Sequence, residues 1–114
     1  MSLQLRDPSL LKNLCLIDGQ WLAAKDGATI EVSNPATGEL LVAVPKMGEA
    51  ETQTAIEAAE RAFAQWKIKT AEQRASILYK WFELLMQNQE DLAQIMTAEQ
   101  GKPLTESRGE IAYA

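Results

Sequence analysis

The hydrophobic pattern changes period at Pro45–Gly48, and that change limits what this chain can build. Upstream, apolar residues alternate or cluster in short runs between turn residues. Downstream they recur every three or four positions. "LCLIDGQWLAA" places Leu14, Leu16 and Ile17 ahead of Asp18-Gly19, a pair suited to a two-residue hairpin turn, and Trp21 and Leu22 open the returning strand. A turn at Lys25-Asp26-Gly27 leads to "ATIEVSN", where Ile30 and Val32 alternate with Thr29, Glu31 and Ser33. "NPATGE" turns the chain again, and "ELLVAVP" follows as a strand ended by Pro45. These strands are too few and too short to close a sheet, so they must lean on something else.

From Gly48 the pattern predicts helices. Thr52, Ile56, Ala59, Phe63 and Trp66 form one stripe, and Glu49 and Glu51 suit the positive end of the helix dipole. Thr70 with Gln73 forms a capping box, opening a second helix to about Asn88 with Ile77, Leu78, Trp81, Phe82 and Leu85 inward. A third helix, from about Glu90, carries Leu92, Ile95 and Met96 and stops at Gly101. Pro103 starts a fourth, with Leu104 and Ile111 seven residues apart on one face. The expectation is an α+β chain, mostly α: a tail over 1–13, a β region over 14–45 and a helical region over 48–114. "GEIAYA" ends inside a helical pattern with no capping residue, as a chain cut in mid-element would.

Composition narrows the chemistry. The 114 residues suit one domain, and 11 basic residues scattered among 16 acidic ones give a net charge of −5. That balance disfavours both nucleic acid and an anionic membrane surface as partners. No apolar run approaches the roughly 20 residues that span a bilayer, no secretory signal is evident, and a single cysteine fits a reducing compartment. A cytoplasmic location is the expectation. The chain has no histidine, which removes the commonest general base and the usual nitrogen ligand for zinc.

Four features invite a functional reading. Gly101-Lys102 resembles the end of a phosphate-binding loop, but Met96 stands where that loop has its first glycine and Pro103 where it has Ser or Thr. A helix stop and restart explains the pair better. Cys15, the sole thiol, sits in an apolar strand without a neighbouring base, and reads as a buried structural residue rather than a nucleophile. Trp21, Trp66 and Trp81 read as core rather than as a ligand platform. Glu99 lies near a helix end where carbonyls gather, and is weighed as a hard-cation ligand against an ordinary exposed glutamate.

Taken in order, "IDGQW", "NPATGE", "AIEAAERAFAQW", "RASIL" and "EQGKPLTESRGEI" resemble the N-terminal part of the aldehyde dehydrogenase superfamily. Within it, "VPKMGEAET", "EQGKPL" and "GEIAYA" look most like bacterial succinate-semialdehyde dehydrogenases. The resemblance implies an incomplete piece of the cofactor-binding domain of an enzyme that oxidises an aldehyde to a carboxylate with NAD or NADP. In the family a cysteine thiolate attacks the aldehyde, hydride passes to the nicotinamide and a glutamate-activated water releases the acid. All of those groups are expected beyond residue 114, so the resemblance implies no catalytic and no cofactor-binding residue here, and Cys15 does not match the family nucleophile. It implies one candidate monovalent cation site, from backbone carbonyls near Val32 and Ser33 with Glu99. A homo-oligomer is expected through helix faces built on Phe63, Trp66, Trp81, Phe82 and Ile111. The competing class is a stand-alone helical interaction or oligomerisation module without catalysis.

Overall fold

Asp18 and Gly19 both hold positive φ, 52° and 74°, the geometry whose twist matches paired strands. They join β1 (Cys15–Ile17) to β2 (Gln20–Leu22) in register, with Leu16 opposite Trp21. In the computed structural model, which describes residues 3–114, this hairpin is one of two separate antiparallel pairs. Met1 and Ser2, the start of the expected tail, lie outside the described residues. The second pair is β3 (Thr29–Ser33) with β4 (Leu40–Pro45). Its ladder slips between Val32, opposite Val42, and Ser33, opposite Leu40, leaving Leu41 as the extra residue of a bulge. Side-chain bonds fix the "NPATGE" turn: Asn34 Oδ1 accepts from Ala36 N–H at 2.9 Å, and Thr37 Oγ1 from Glu39 N–H at 3.2 Å.

The four expected helices are present: α1 (Glu49–Trp66), α2 (Ala71–Gln87), α3 (Gln89–Gln100) and α4 (Leu104–Tyr113). The α+β, mostly helical class therefore holds. Each boundary follows from local chemistry. Glu51 Oε2 accepts the Gly48 N–H at 3.1 Å and closes the start of α1, while its Oε1 takes the Lys25 N–H at 2.9 Å and ties that helix to the preceding loop. These donors, the Lys25 amide first, hold the Glu51 carboxyl below the usual range. Thr70 and Gln73 form the reciprocal box at α2. Gly101, at φ 85°, ends α3 in the left-handed conformation.

The best-packed region is the α3–α4 pair, and its seam is made of small residues. Ala93, Ala98 and fully buried Ser107 let the helices approach, and Ser107 Oγ meets Thr97 Oγ1 at 2.8 Å. Arg108 grips Glu90 with two bonds, Nε at 2.8 Å and Nη2 at 2.9 Å, and depresses the Glu90 carboxyl. The N-terminal segment is fastened to the same helix. Asp91, only 4% exposed, accepts the N–H of Arg6 at 3.0 Å and of Asp7 at 2.9 Å.

Several expected core positions are corrected. Trp81 is 63% exposed and Phe63 58% exposed, and Ile56, Ile77, Leu78 and Phe82 are exposed as well. Trp21 is exposed too, with the Lys12 ammonium 4.8 Å from its ring centre. Trp66 is half-buried. On α1 the covered residue is Ala58, beside the β1–β2 hairpin, rather than the aromatic stripe. On α3 the buried positions are Asp91, Ala93 and Ala98, while Leu92, Ile95 and Met96 are half-buried. Of the residues also expected on open helix faces for self-association, Phe63, Trp81 and Phe82 do lie open, whereas Ile111 is 8% exposed. The physical reason is shared. An apolar stripe states which side wants cover, and here the neighbours lie along other sides.

The open stripes leave a large surface. The chain exposes 8411 Å², against about 6,200 Å² for a compact monomer of this mass. Its radius of gyration is 16.6 Å, against about 13 Å for a compact chain of this length. The α2 helix contributes most plainly. Its polar residues Glu72, Ser76, Lys80, Glu83 and Gln87 form one narrow stripe at four- and three-residue spacing, and the rest of its circumference is largely apolar. Such a helix belongs in an interior, yet only its C-terminal Leu85 and Met86, with Arg74, are half-covered.

Candidate functional site

The residues singled out by sequence separate into one neighbourhood and several isolated positions. The neighbourhood is where the end of β3 meets the end of α3. Val32 is half-buried and Ser33 exposed, and the β3–β4 ladder is interrupted between them. The elements β3 and α3 pack together. A Cβ placed on Gly101 would lie 3.1 Å from Pro35 Cγ, so the stop of α3 abuts the turn that follows Ser33. Glu99 is exposed in the last turn of α3. Val32, Ser33 and Glu99 therefore lie on two touching elements, near a bulge that removes backbone groups from regular pairing. Among the described residues no group of three or more His, Cys, Asp and Glu side chains gathers as a metal site.

A cavity of about 440 Å³ opens beside this junction. Leu3 and Gln4 of the N-terminal segment, Asn34 of the turn, and Gln94, Thr97 and Gly101 of α3 contribute to its lining. Two of its polar groups are committed locally: Thr97 to Ser107 and Asn34 to the turn amide.

The Gly-Lys pair is a joint. Gly101 is the left-handed helix stop, Pro103 caps the next helix, and the Lys102 ammonium is paired with Glu110 of α4. Cys15 is half-buried in β1, opposite Leu22. This corrects the expectation of a buried thiol, because one side of the hairpin faces solvent.

Two carboxylates that organise the chain carry no sequence signal beyond acidity. Asp91 looks like one of two acids favouring the start of α3, and Glu51 like an ordinary first-turn acid. Each also takes a backbone amide distant in sequence, 85 residues away for Asp91 and Arg6 and 26 for Glu51 and Lys25. No pattern in the chain announces such pairings.

Residues 21–114 match the aldehyde dehydrogenase family. The chain is 55% identical over 112 residues to a glutarate-semialdehyde dehydrogenase of Pseudomonas putida, covering 98% of this chain and 23% of that protein. It is 53% identical over 112 residues, with the same coverage of each, to a succinate-semialdehyde dehydrogenase (NADP+) of Escherichia coli. The crystal structure of succinate-semialdehyde dehydrogenase from Burkholderia pseudomallei superposes with a TM-score of 0.92 at 59% identity, over 96% of this chain and 23% of that one. The chain thus spans about a quarter of the length of the relatives it matches.

Proposed function

Because this chain belongs to the aldehyde dehydrogenase family, we propose that it forms the N-terminal segment of the NAD(P)-binding domain of an enzyme that oxidises an aldehyde to its carboxylate. Within this segment, residues 1–13 are a tail, 14–45 a β region and 48–114 a helical region. Identity above half over 98% of the chain, to relatives named for succinate and glutarate semialdehydes, carries the proposal. The substrate is a short semialdehyde with a carboxylate at its far end, succinate semialdehyde first. The oxidant is NAD or NADP, which accepts the hydride and is held by residues beyond this segment. The parent is cytoplasmic and a homo-oligomer.

The segment supplies scaffold. With no histidine in the sequence, Cys15, in a hairpin strand, has no imidazole base to activate it. Turnover of succinate semialdehyde is therefore expected from the full-length parent and absent from residues 1–114 alone. Cys15→Ser is expected to leave parental kcat/KM unchanged. Parental inactivity toward both semialdehydes with either cofactor would refute the reading, and so would loss of turnover in Cys15→Ser.

The junction of β3 and α3 is proposed to hold a monovalent cation, through backbone carbonyls at Val32 and Ser33 with the Glu99 carboxylate. The bulge at Leu41 and the packing of α3 on β3 support it. The test is the melting temperature in sodium or potassium chloride against choline chloride at equal ionic strength. A difference abolished by Glu99→Gln is expected; no difference between the salts overturns it.

A further inference from the structure

The segment before β1 is tied to the fold at one deeply buried point. Asp91, 4% exposed in the first turn of α3, commits both carboxylate oxygens to the backbone N–H groups of Arg6 and Asp7. From there the chain runs back along α3. Leu3 and Leu5 are half-buried while Gln4 and Arg6 are exposed, the alternation of an extended segment lying on a surface. The three-residue reach from Asp7 to Gln4 is about 10 Å, and the helical rise from Asp91 to Thr97 is about 9 Å. These lengths agree with the lining of the cavity, where Leu3 and Gln4 sit with Thr97 and Gly101 of α3 and Asn34 of the turn. One end of this strap is fixed at the first turn of α3, and the other reaches the β3–α3 junction at its last.

We propose that this strap and the monovalent cation are coupled. A cation held by the carbonyls at Val32 and Ser33 with Glu99 tightens the clasp at Asp91, and a fastened clasp raises the affinity for the cation. The inference deepens the cation reading above and rests on it. Both attachments act on the same two walls. Ser33 leads directly into Asn34, and Glu99 stands two residues before Gly101. A cation that draws β3 and α3 together therefore fixes the surfaces against which Leu3 and Gln4 lie. A wall already ordered costs the strap less to settle on. Linkage makes the effect equal in both directions.

The test measures backbone hydrogen exchange of the full-length parent in sodium or potassium chloride and in choline chloride at equal ionic strength. Protection of the Arg6 and Asp7 amides is expected to rise about 5-fold or more with the small cation, the lower end of ordinary coupling between sites. The Lys25 and Gly48 amides, which a different carboxylate holds in the same manner, should not change. Asp91→Asn keeps the shape and one acceptor oxygen. It should raise the cation concentration that gives half the gain in melting temperature by the same factor. Equal protection of Arg6 and Asp7 in all the salts, with a melting temperature that still responds through Glu99, overturns the coupling and leaves the cation site standing. A rise shared by Lys25 and Gly48 also overturns it, because that is general stabilisation, and so does an unmoved half-point in Asp91→Asn. Melting that ignores the cation altogether removes the site and the coupling together. Should Asp91→Asn fail to fold, the exchange comparison on the unmutated protein decides alone.

Discussion

Two glycines near the C-terminus should respond to the same substitution with opposite signs. Gly101 sits at φ 85°, and an added Cβ would stand 3.1 Å from Pro35 Cγ. Gly109 lies inside α4, with nothing within 4 Å of its added Cβ. An L-residue in the left-handed region costs about 1–2 kcal/mol. The crowding adds to this, because Pro35 must give by a few tenths of an ångström and its ring belongs to a turn held by its own hydrogen bonds. Gly101→Ala should therefore destabilise the chain by about 2 kcal/mol. Gly109→Ala removes unfolded-state freedom from a helical position and should stabilise by about 0.5–1 kcal/mol. With an unfolding entropy near 2.1 cal/mol/K per residue, these become a fall of about 8 °C and a rise of about 3 °C in Tm. Thermal unfolding of the 114-residue chain by circular dichroism reads both. Gly101→Asn should recover part of the loss, since asparagine tolerates this conformation. If Gly101→Ala leaves Tm unchanged or raises it, the assignment of Gly101 as an obligatory left-handed stop is wrong.

Asp91→Ala should free the N-terminal segment while leaving α3 helical. Losing two charge-assisted bonds at about 1.5 kcal/mol each predicts a drop in hydrogen-exchange protection of about 150-fold at the Arg6 and Asp7 amides. Unchanged protection there would show that Asp91 does not hold the segment. The carboxyls of Glu51, Glu90 and Asp7 are depressed by the amides and hydroxyl that face them or, for Glu90, by Arg108. A depressed carboxyl stabilises above its unfolded value and loses that contribution as pH falls through the folded one, so Tm should decline below about pH 4.5. With no histidine to titrate, no step is expected near pH 6.5. In Glu90→Gln the acid-side decline should be shallower; an identical profile would remove Glu90 from the account. Thr70→Ala breaks the reciprocal box at α2 and should cost about 1 kcal/mol in urea unfolding, with Ser at 70 restoring most of it.

The legible parts of the fold were those decided within a few residues. Asp18-Gly19, Gly27, the "NPATGE" turn, Thr70 with Gln73 and Gly101 with Pro103 each act through their own backbone conformation or a bond to a near neighbour. The illegible parts were decisions about partners. Trp81 and Phe63 look like core residues because apolarity says only that a side chain avoids water. Ala58, Ala93 and Ser107 define the closest packing because they are small, which leaves no hydrophobic signature. The candidate cation site divides along the same line: Glu99 beside a helix end is visible in sequence, whereas the bulge between Val32 and Ser33 depends on pairing with β4.

The clasp at Asp91 also orders events in time. Arg6 and Asp7 wait for an acceptor made 85 and 84 residues later, which at about 5–20 residues per second is roughly 4–17 seconds of ribosomal synthesis. Both hairpins and the first two helices can form locally within microseconds of their emergence. The segment around Arg6 and Asp7 therefore finds its place only once α3 has been made, and for those seconds its backbone stays open to a protease or a chaperone.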